Sequence, residues 1–272
     1  MPVVHSKSNE KHWLRRDRNR QLMIWFAWLT GVAVFMFCWE LISVKTNWGF
    51  VADAPRIASD IWNRATPPKW TYMEKLWKPL WDTLNIATLG TLLAILFAVP
   101  IAFLAARNTT PGILIFRPLA LLIIVGSRSI NSIIWAVLFV TIIGPGILAG
   151  LLAIGLRSIG FLAKLLYEAI EEVNINQIEA IQATGASRWQ VISYGIVPQI
   201  MPTFAGITVF RWDINIREST VLGLVGAGGI GLQLQSSLNV LAWPQVSLIL
   251  IVIFVAVVFS EWISAKIRGA II

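Results

Sequence analysis

Long apolar runs, each interrupted by a short polar stretch, follow one another from residue 22 to residue 267. The first, Leu22 to Val44, is long enough to cross a hydrocarbon core of roughly 30 Å at about 1.5 Å per helical residue. Further runs cover Asp82 to Ala106, Gly112 to Ile143, Ile147 to Ile170, Pro198 to Leu224 and Gln245 to Ile267. The pattern predicts an all-α integral membrane protein with six transmembrane helices. The third run overshoots a bilayer and is broken by Arg117, Pro118 and the polar insert Ser127-Arg128-Ser129. Its first part is therefore expected to lie along the interface before turning in, with Gly144-Pro145-Gly146 closing the turn at the outer end.

The polar stretches set the organisation. Residues 1–21 form a basic N-terminus, 22–44 an N-terminal anchor helix, 45–81 a periplasmic interfacial segment, 82–267 a five-helix core and 268–272 a tail. A cleaved signal peptide would carry a shorter apolar stretch of about 7 to 15 residues, so 22–44 reads as a retained anchor. Within 45–81, Trp48, Trp62, Trp70, Trp77 and Trp81 alternate with prolines. Indoles favour the headgroup level, which predicts a short amphipathic helix at the interface. Residues 171–197 are the longest polar interruption of the core.

Composition and charge sharpen this picture. Of 272 residues, 57% are hydrophobic and only 13% charged, more apolar than a soluble core needs. The net charge of +8 flanks the apolar runs instead of forming a stripe, which fits an anionic membrane surface and argues against nucleic acid. Lys7, Lys11, Arg15, Arg16, Arg18 and Arg20 precede the first run, and Lys266 and Arg268 follow the last. Both ends inside require an even number of spans, and six places 171–197 in the cytoplasm. Cys38 is the only cysteine, so neither an intrachain disulfide nor a multi-cysteine metal site is available. His5 and His12 lie in the charged N-terminal tail with no triad or metal spacing around them.

Two segments carry candidate chemistry. The interruption reads as two short helices, Ile175 to Ala183 and Ser187 to Ser193, hinged at Gly185, where the missing Cβ permits a sharp turn. Pro198 suits the first turn of the next span. The fifth span carries Arg211, Asp213, Asn215, Arg217 and Glu218, charges that must pair or face water at membrane depth. Helical spacing puts Arg211, Asn215 and Glu218 on one stripe, and Asp213 with Arg217 on nearly the opposite one. One regular helix cannot aim both at a single pathway. Asp213–Arg217 is expected to be a structural ion pair, leaving Arg211 and Asn215 nearer the pathway; both stripes being purely structural is the alternative. Arg128, Arg157, Lys164 and Glu168 rank below them.

Gly226, Gly228 and Gly231 fit G-x-G-x-x-G, but they lie between membrane helices with no acid before Glu261, so a dinucleotide site is rejected. A non-helical segment lining a cavity or covered by protein is the better reading. No P-loop motif occurs, so any ATP hydrolysis belongs to a partner.

The stretch EAIQATGASRWQVISYGIVP resembles the cytoplasmic loop of ABC importer permeases, which carry Glu-Ala-Ala, then Gly, then an aliphatic residue and Leu-Pro. It matches at Glu179, Ala180, Gly185 and Pro198, and departs with Ile181 for Ala, Gly195 for an aliphatic and Val197 for Leu. From about Leu80 to Ile267 the chain is similar to the methionine-importer type of permease. The phosphonate importer permeases look nearest, on Glu168-Ala169-Ile170-Glu171, Arg211, Asn215, Arg217 and Gly223 to Gly231.

The resemblance implies a type I permease fold with an extra N-terminal anchor, in the bacterial inner membrane with both termini cytoplasmic. It implies partners too: a second copy, two ATP-binding subunits holding ATP and Mg, and an extracytoplasmic substrate-binding protein. Glu179, Ala180, Ile181, Gly185, Ala186, Arg188, Trp189 and Pro198 would serve ATPase coupling. Arg211, Asn215, Arg217, Glu218, Gly226, Gly228 and Gly229 are the pathway candidates, and the chain itself holds no cofactor, metal or catalytic residue. A phosphonate is the expected cargo, against phosphite, hypophosphite, phosphate or an amino acid on the same fold. A membrane enzyme or an ion channel are the readings from other classes.

Overall fold

A computed structural model describes residues 3–5, 11–13 and 18–271. Much of the basic N-terminus, including Lys7, Arg15 and Arg16, lies outside these residues. The chain divides into two compact units, Met1–Trp62 and Asn63–Ile272.

In the first unit, β1 (Val3–His5) pairs antiparallel with β2 (Lys11–Trp13), the only strands among the described residues. Helix α1 spans Arg18–Lys45. Its apolar side chains stay exposed along the whole length, Leu22, Phe26, Phe35 and Ile42 among them. Such a surface is stable only in lipid or against another apolar surface. Helix α2, Trp48–Ala65, begins here and runs across the division. Phe50, Ala54, Ile57 and Ile61 share one of its faces, while Asp53, Arg56, Asp60 and Arg64 share another. An amphipathic helix therefore occupies the tryptophan-rich segment.

The second unit is helical throughout. A short 3₁₀ turn at Trp70–Tyr72 leads into α3 (Met73–Ala105), which starts well before the expected Asp82. Then come α4 (Phe116–Ser129), α5 (Ser132–Ile143), α6 (Ile147–Glu171), α7 (Ile175–Ala183) and the single turn α8 (Arg188–Gln190). Helices α9 (Val197–Leu222), α10 (Ile230–Asn239) and α11 (Trp243–Ile271) complete it. Among the described residues five helices are each long and apolar enough to span a membrane, and α4 with α5, bent by 87°, bring the number to six if the pair counts as one span.

The break in that sixth span falls at Ile130–Asn131, and the polar insert before it remains helical. The reason is packing against α6. Ser127 Oγ donates to the Leu156 carbonyl and accepts from Gly160 N at 3.1 Å, so its polarity is absorbed within a helix contact. A Cβ at Gly160 would stand 2.6 Å from the Ile124 carbonyl, which shows how closely α4 and α6 approach.

Helix α6 is the centre of the unit. Small residues of α3, among them Ala94, Ala98 and Ala102, bury against Leu162, Ala163 and Leu166 of α6. Close approach through small residues is how helices associate where no hydrophobic drive from water exists. Ile196, just before α9, and Ile200 within it close the same cluster.

Candidate functional site: an exposed elbow and a charged core

Residues 171–197 leave the end of α6 with α7 and the turn at Gly185 largely exposed, while Val173, Val191 and Ile196 remain buried. Glu171, the last residue of α6, accepts from Arg107 N at 2.9 Å and pairs with Arg117 at 3.5 Å. Asn108 Nδ2 donates to the Ile170 carbonyl at 2.5 Å. These contacts tie the ends of α3, α4 and α6 together. Asn174 then caps α7 by accepting from Asn176 N at 3.0 Å, satisfying one of the orphan donors of the first turn.

Gly185 follows α7 with φ +80°, and a Cβ there would meet nothing within 4 Å. The position requires a left-handed backbone, not space. Ser187 and Gln190 form a capping box, with Ser187 N donating to Gln190 Oε1 at 2.8 Å. Arg188 Nη2 donates to the carbonyls of Thr109 and Thr110 at 2.6 and 2.7 Å, clamping the elbow to the loop after α3.

Beyond Gly185 the structure corrects the expected second helix, Ser187 to Ser193. One α turn passes into a π-helical stretch, Val191–Ile196, which runs straight into α9. Gln199 Nε2 accepts the widened geometry by donating to the Gly195 carbonyl at 2.7 Å. Pro198 sits in the first turn of α9, directly after the π-helical stretch, so its missing N–H falls at the junction between the two.

The elbow's outward face is exposed. Glu179, Ala180, Gln182 and Gly185 are exposed, Ala186 is half-buried, and Trp189 is 79% exposed. A groove of about 650 Å³ opens beside it, lined by Glu171, Ile175, Glu179, Gln182 and Arg188 among others. Ile181 turns the other way. Its Cδ1 lies 3.2 Å from where a Cβ at Gly195 would stand. Two of the three departures from the permease motif thus meet in space: the larger residue at 181 fills the volume that glycine leaves at 195. Linear reading treats them as independent, since fourteen residues separate them.

The charged residues of α9 segregate by stripe. Asp213 is buried, ion-paired to Arg217 and accepting from Ser260 Oγ of α11 at 2.8 Å. On the other stripe, Arg211 Nε donates to Ser158 Oγ at 2.9 Å, Ser158 Oγ bonds Asn215 Oδ1 at 3.1 Å, and Asn215 Nδ2 donates to Thr91 Oγ1 at 2.8 Å. Arg211 and Asn215 are 3% and 0% exposed, so both are locked between α3, α6 and α9. Arg211 also lies over the Phe161 ring at 5.1 Å. Glu218 accepts from Arg211 at 3.5 Å and from Arg157 at 2.9 Å, and Arg157 reaches Ser132 Oγ at 3.2 Å. Arg157, which sequence reasoning ranks below these residues, finds its partners on α5 and α9, far along the chain.

The glycine turn between α9 and α10 is closely packed. Gly226, Gly228 and Gly229 all have positive φ. A Cβ at Gly229 would stand 2.6 Å from Thr83 Oγ1, the same hydroxyl that accepts from Ile230 N at 2.8 Å. Gly146 N donates to the Gly226 carbonyl at 3.0 Å. Gly228 and Gly229 are buried and Gly226 is half-buried, so non-helical backbone here is covered by protein.

Comparison with known proteins extends the geometry. Residues 98–268 match the family described as binding-protein-dependent transport system inner membrane component. The phosphite transport system permease protein PtxC of Stutzerimonas stutzeri is 38% identical over 237 residues, covering 86% of this chain and 84% of that protein. The phosphate-import permease protein PhnE of Mycolicibacterium smegmatis is 40% identical over 205 residues, covering 75% of this chain but only 38% of that longer protein. An inward-facing structure of the MetNI methionine ABC transporter superposes with a TM-score of 0.65 at 20% identity, over 75% of this chain and 99% of that one, a likeness of fold.

Proposed function

Because the chain belongs to the family of binding-protein-dependent transport system inner membrane components, and is a multi-pass transport subunit and not an enzyme, we propose that it imports a phosphorus oxyanion driven by a separate ATPase. A phosphonate is the cargo in this reading. Phosphite is the second reading, favoured by the relative that is 38% identical over most of both chains.

The observation that carries the proposal is the elbow: a clamped, capped, outward-facing turn whose polar surface is exposed. Glu179 to Gly185 docks on an ATP-binding subunit in this account, with Ala186, Arg188 and Trp189 flanking the contact. Two such subunits, holding ATP and Mg, serve two copies of the chain, and a binding protein delivers cargo from outside. Both termini and the elbow face the cytoplasm. Nucleotide-driven motion of the elbow shifts α9, and the bundle alternates between its two openings.

Cargo chemistry explains the need for coupling. An anion of this class carries about one to two negative charges near neutral pH, and unassisted transfer into low dielectric costs tens of kcal/mol. Arginines offset this with forked hydrogen bonds to oxygen pairs. Import also opposes an inside-negative potential by about 2.3 kcal/mol per charge per 100 mV. Arg211, Asn215, Arg217 and Glu218 of α9, with Gly226, Gly228 and Gly229, are the residues we assign to the pathway or its walls.

The test is uptake by vesicles containing this chain, its ATPase and its binding protein, supplied with labelled methylphosphonate, phosphite or phosphate. ATP-dependent accumulation of at least one, competed by the others, is expected. Flux without ATP, or uptake of an amino acid alone, contradicts the reading.

A further inference from the structure

We propose that Arg157 and Arg211 form a transit site for the oxyanion in which Glu218 takes the cargo's place between transport events. The inference rests on the permease reading above and assigns roles within it. Each oxygen of Glu218 faces a different guanidinium: Oε1 stands 2.9 Å from Arg157 Nη1, and Oε2 stands 3.5 Å from Arg211 Nη2. An anion with several oxygens held between two forked donors makes this same arrangement.

The charge balance is informative. Among the described residues, two guanidiniums share one carboxylate, whereas Asp213 and Arg217 on the opposite stripe match one to one. Excess positive charge at membrane depth is costly unless water or a further anion answers it. Exposure shows where that anion enters. The side chains of Arg157 and Glu218 are 31% and 17% exposed, while that of Arg211 is 3% exposed and held by Ser158 and Phe161. Arg157 is the reachable edge and Arg211 the fixed inner wall.

A second observation converges on the same place. Arg157 bonds Ser132, the first residue of α5, directly beyond the break that bends the α4–α5 span by 87°. Broken helices in transporters occur where backbone lines a cavity or meets cargo.

A tethered carboxylate solves the problem of release. Two unanswered arginines would hold a dianion too firmly for transit, which needs binding weak enough to leave. The cargo displaces Glu218 from Arg157 on entry, and Glu218 returns to expel it. Glu218 therefore competes with cargo, and Arg157 binds it.

The experiment uses the complete transporter in vesicles, reading uptake of whichever labelled phosphorus anion the wild type carries, binding-protein-stimulated ATPase activity and co-purification with the ATPase. Glu218→Gln is expected to lower KM and maximal uptake each by about tenfold, since a charged hydrogen bond of this kind is worth roughly that factor or more. Should Glu218→Gln fail to assemble, Glu218→Asp retracts the carboxylate and is expected to move KM in the same direction. Arg157→Gln is expected to cut uptake about 100-fold with stimulated ATPase activity retained, and Arg157→Lys, which keeps charge but loses the fork, about tenfold. The double variant Arg157→Gln/Glu218→Gln preserves net charge and is expected to stay as low as Arg157→Gln. Wild-type uptake by the double variant, or an unchanged KM in Glu218→Gln, overturns the proposal and makes the pair structural. Failure of the wild type to carry any phosphorus anion instead defeats the cargo reading on which the proposal rests.

Discussion

The elbow at Gly185 and the turn at Gly223–Gly231 both reverse the chain through glycines, yet they impose opposite demands. Around Gly185 space is open, and the residue is needed for its backbone angle alone. Around the second turn, a Cβ at Gly223, Gly228, Gly229 or Gly231 would stand 3.1 Å or less from its nearest neighbour, while Gly226 keeps ordinary contact distance and needs glycine for its φ of +89°. The contrast separates two uses of one residue type. A turn buried by its own chain is fixed by that chain, whereas a turn with capped ends and an Arg188 clamp keeps its surface exposed, as the proposed docking role requires.

The largest effect that would sharpen this contrast is at Gly231. A Cβ there would fall 1.9 Å from the Thr220 carbonyl, so Gly231→Ala must move backbone, at or beyond the roughly 1–3 kcal/mol typical of overpacking. Loss of monodisperse protein on size-exclusion chromatography in detergent is expected; normal yield contradicts the packing account.

Next comes the contact between Ile181 and Gly195. Gly195→Leu should overpack it by about 1–3 kcal/mol, leaving insertion intact while lowering ATP-coupled uptake roughly tenfold, since α7 is pushed off the π-helical stretch. Ile181→Ala in the same chain should restore most of the uptake, because the two positions share one volume. Independent, additive losses in the double variant would show that the volume exchange has no role.

The smallest effect is expected at Gly185 itself. Gly185→Ala forces a left-handed residue at a cost of about 1–2 kcal/mol, confined to the elbow. Yield should match the wild type while uptake per ATP hydrolysed falls a few-fold, and a collapse in yield would erase the distinction between the two turns.

Much of this was legible in one dimension because hydrophobicity reports on lipid and on 3.6-residue periodicity. The spanning helices follow the apolar runs, and the α9 stripes follow from counting by fours. Glu218 and Arg211 could be placed on one face in this way. What that stripe faces could not, since Ser158 and Thr91 approach from other helices. Arg157 was underrated for the same reason: its worth comes from Glu218, 61 residues away. The π-helical stretch left no mark either, because a widened turn shifts periodicity by a single residue.

Site-directed cross-linking at the elbow tests the central claim most directly. Cys38 is the only native cysteine, so Cys38→Ser gives a background in which Gln182→Cys supplies a single thiol on the exposed face. In intact membranes containing the whole assembly, that thiol should cross-link to the ATP-binding subunit with a yield that changes on adding ATP. It should react with a membrane-impermeant maleimide only from the cytoplasmic side. Labelling from the external side, or no cross-link to any second polypeptide, would contradict the account.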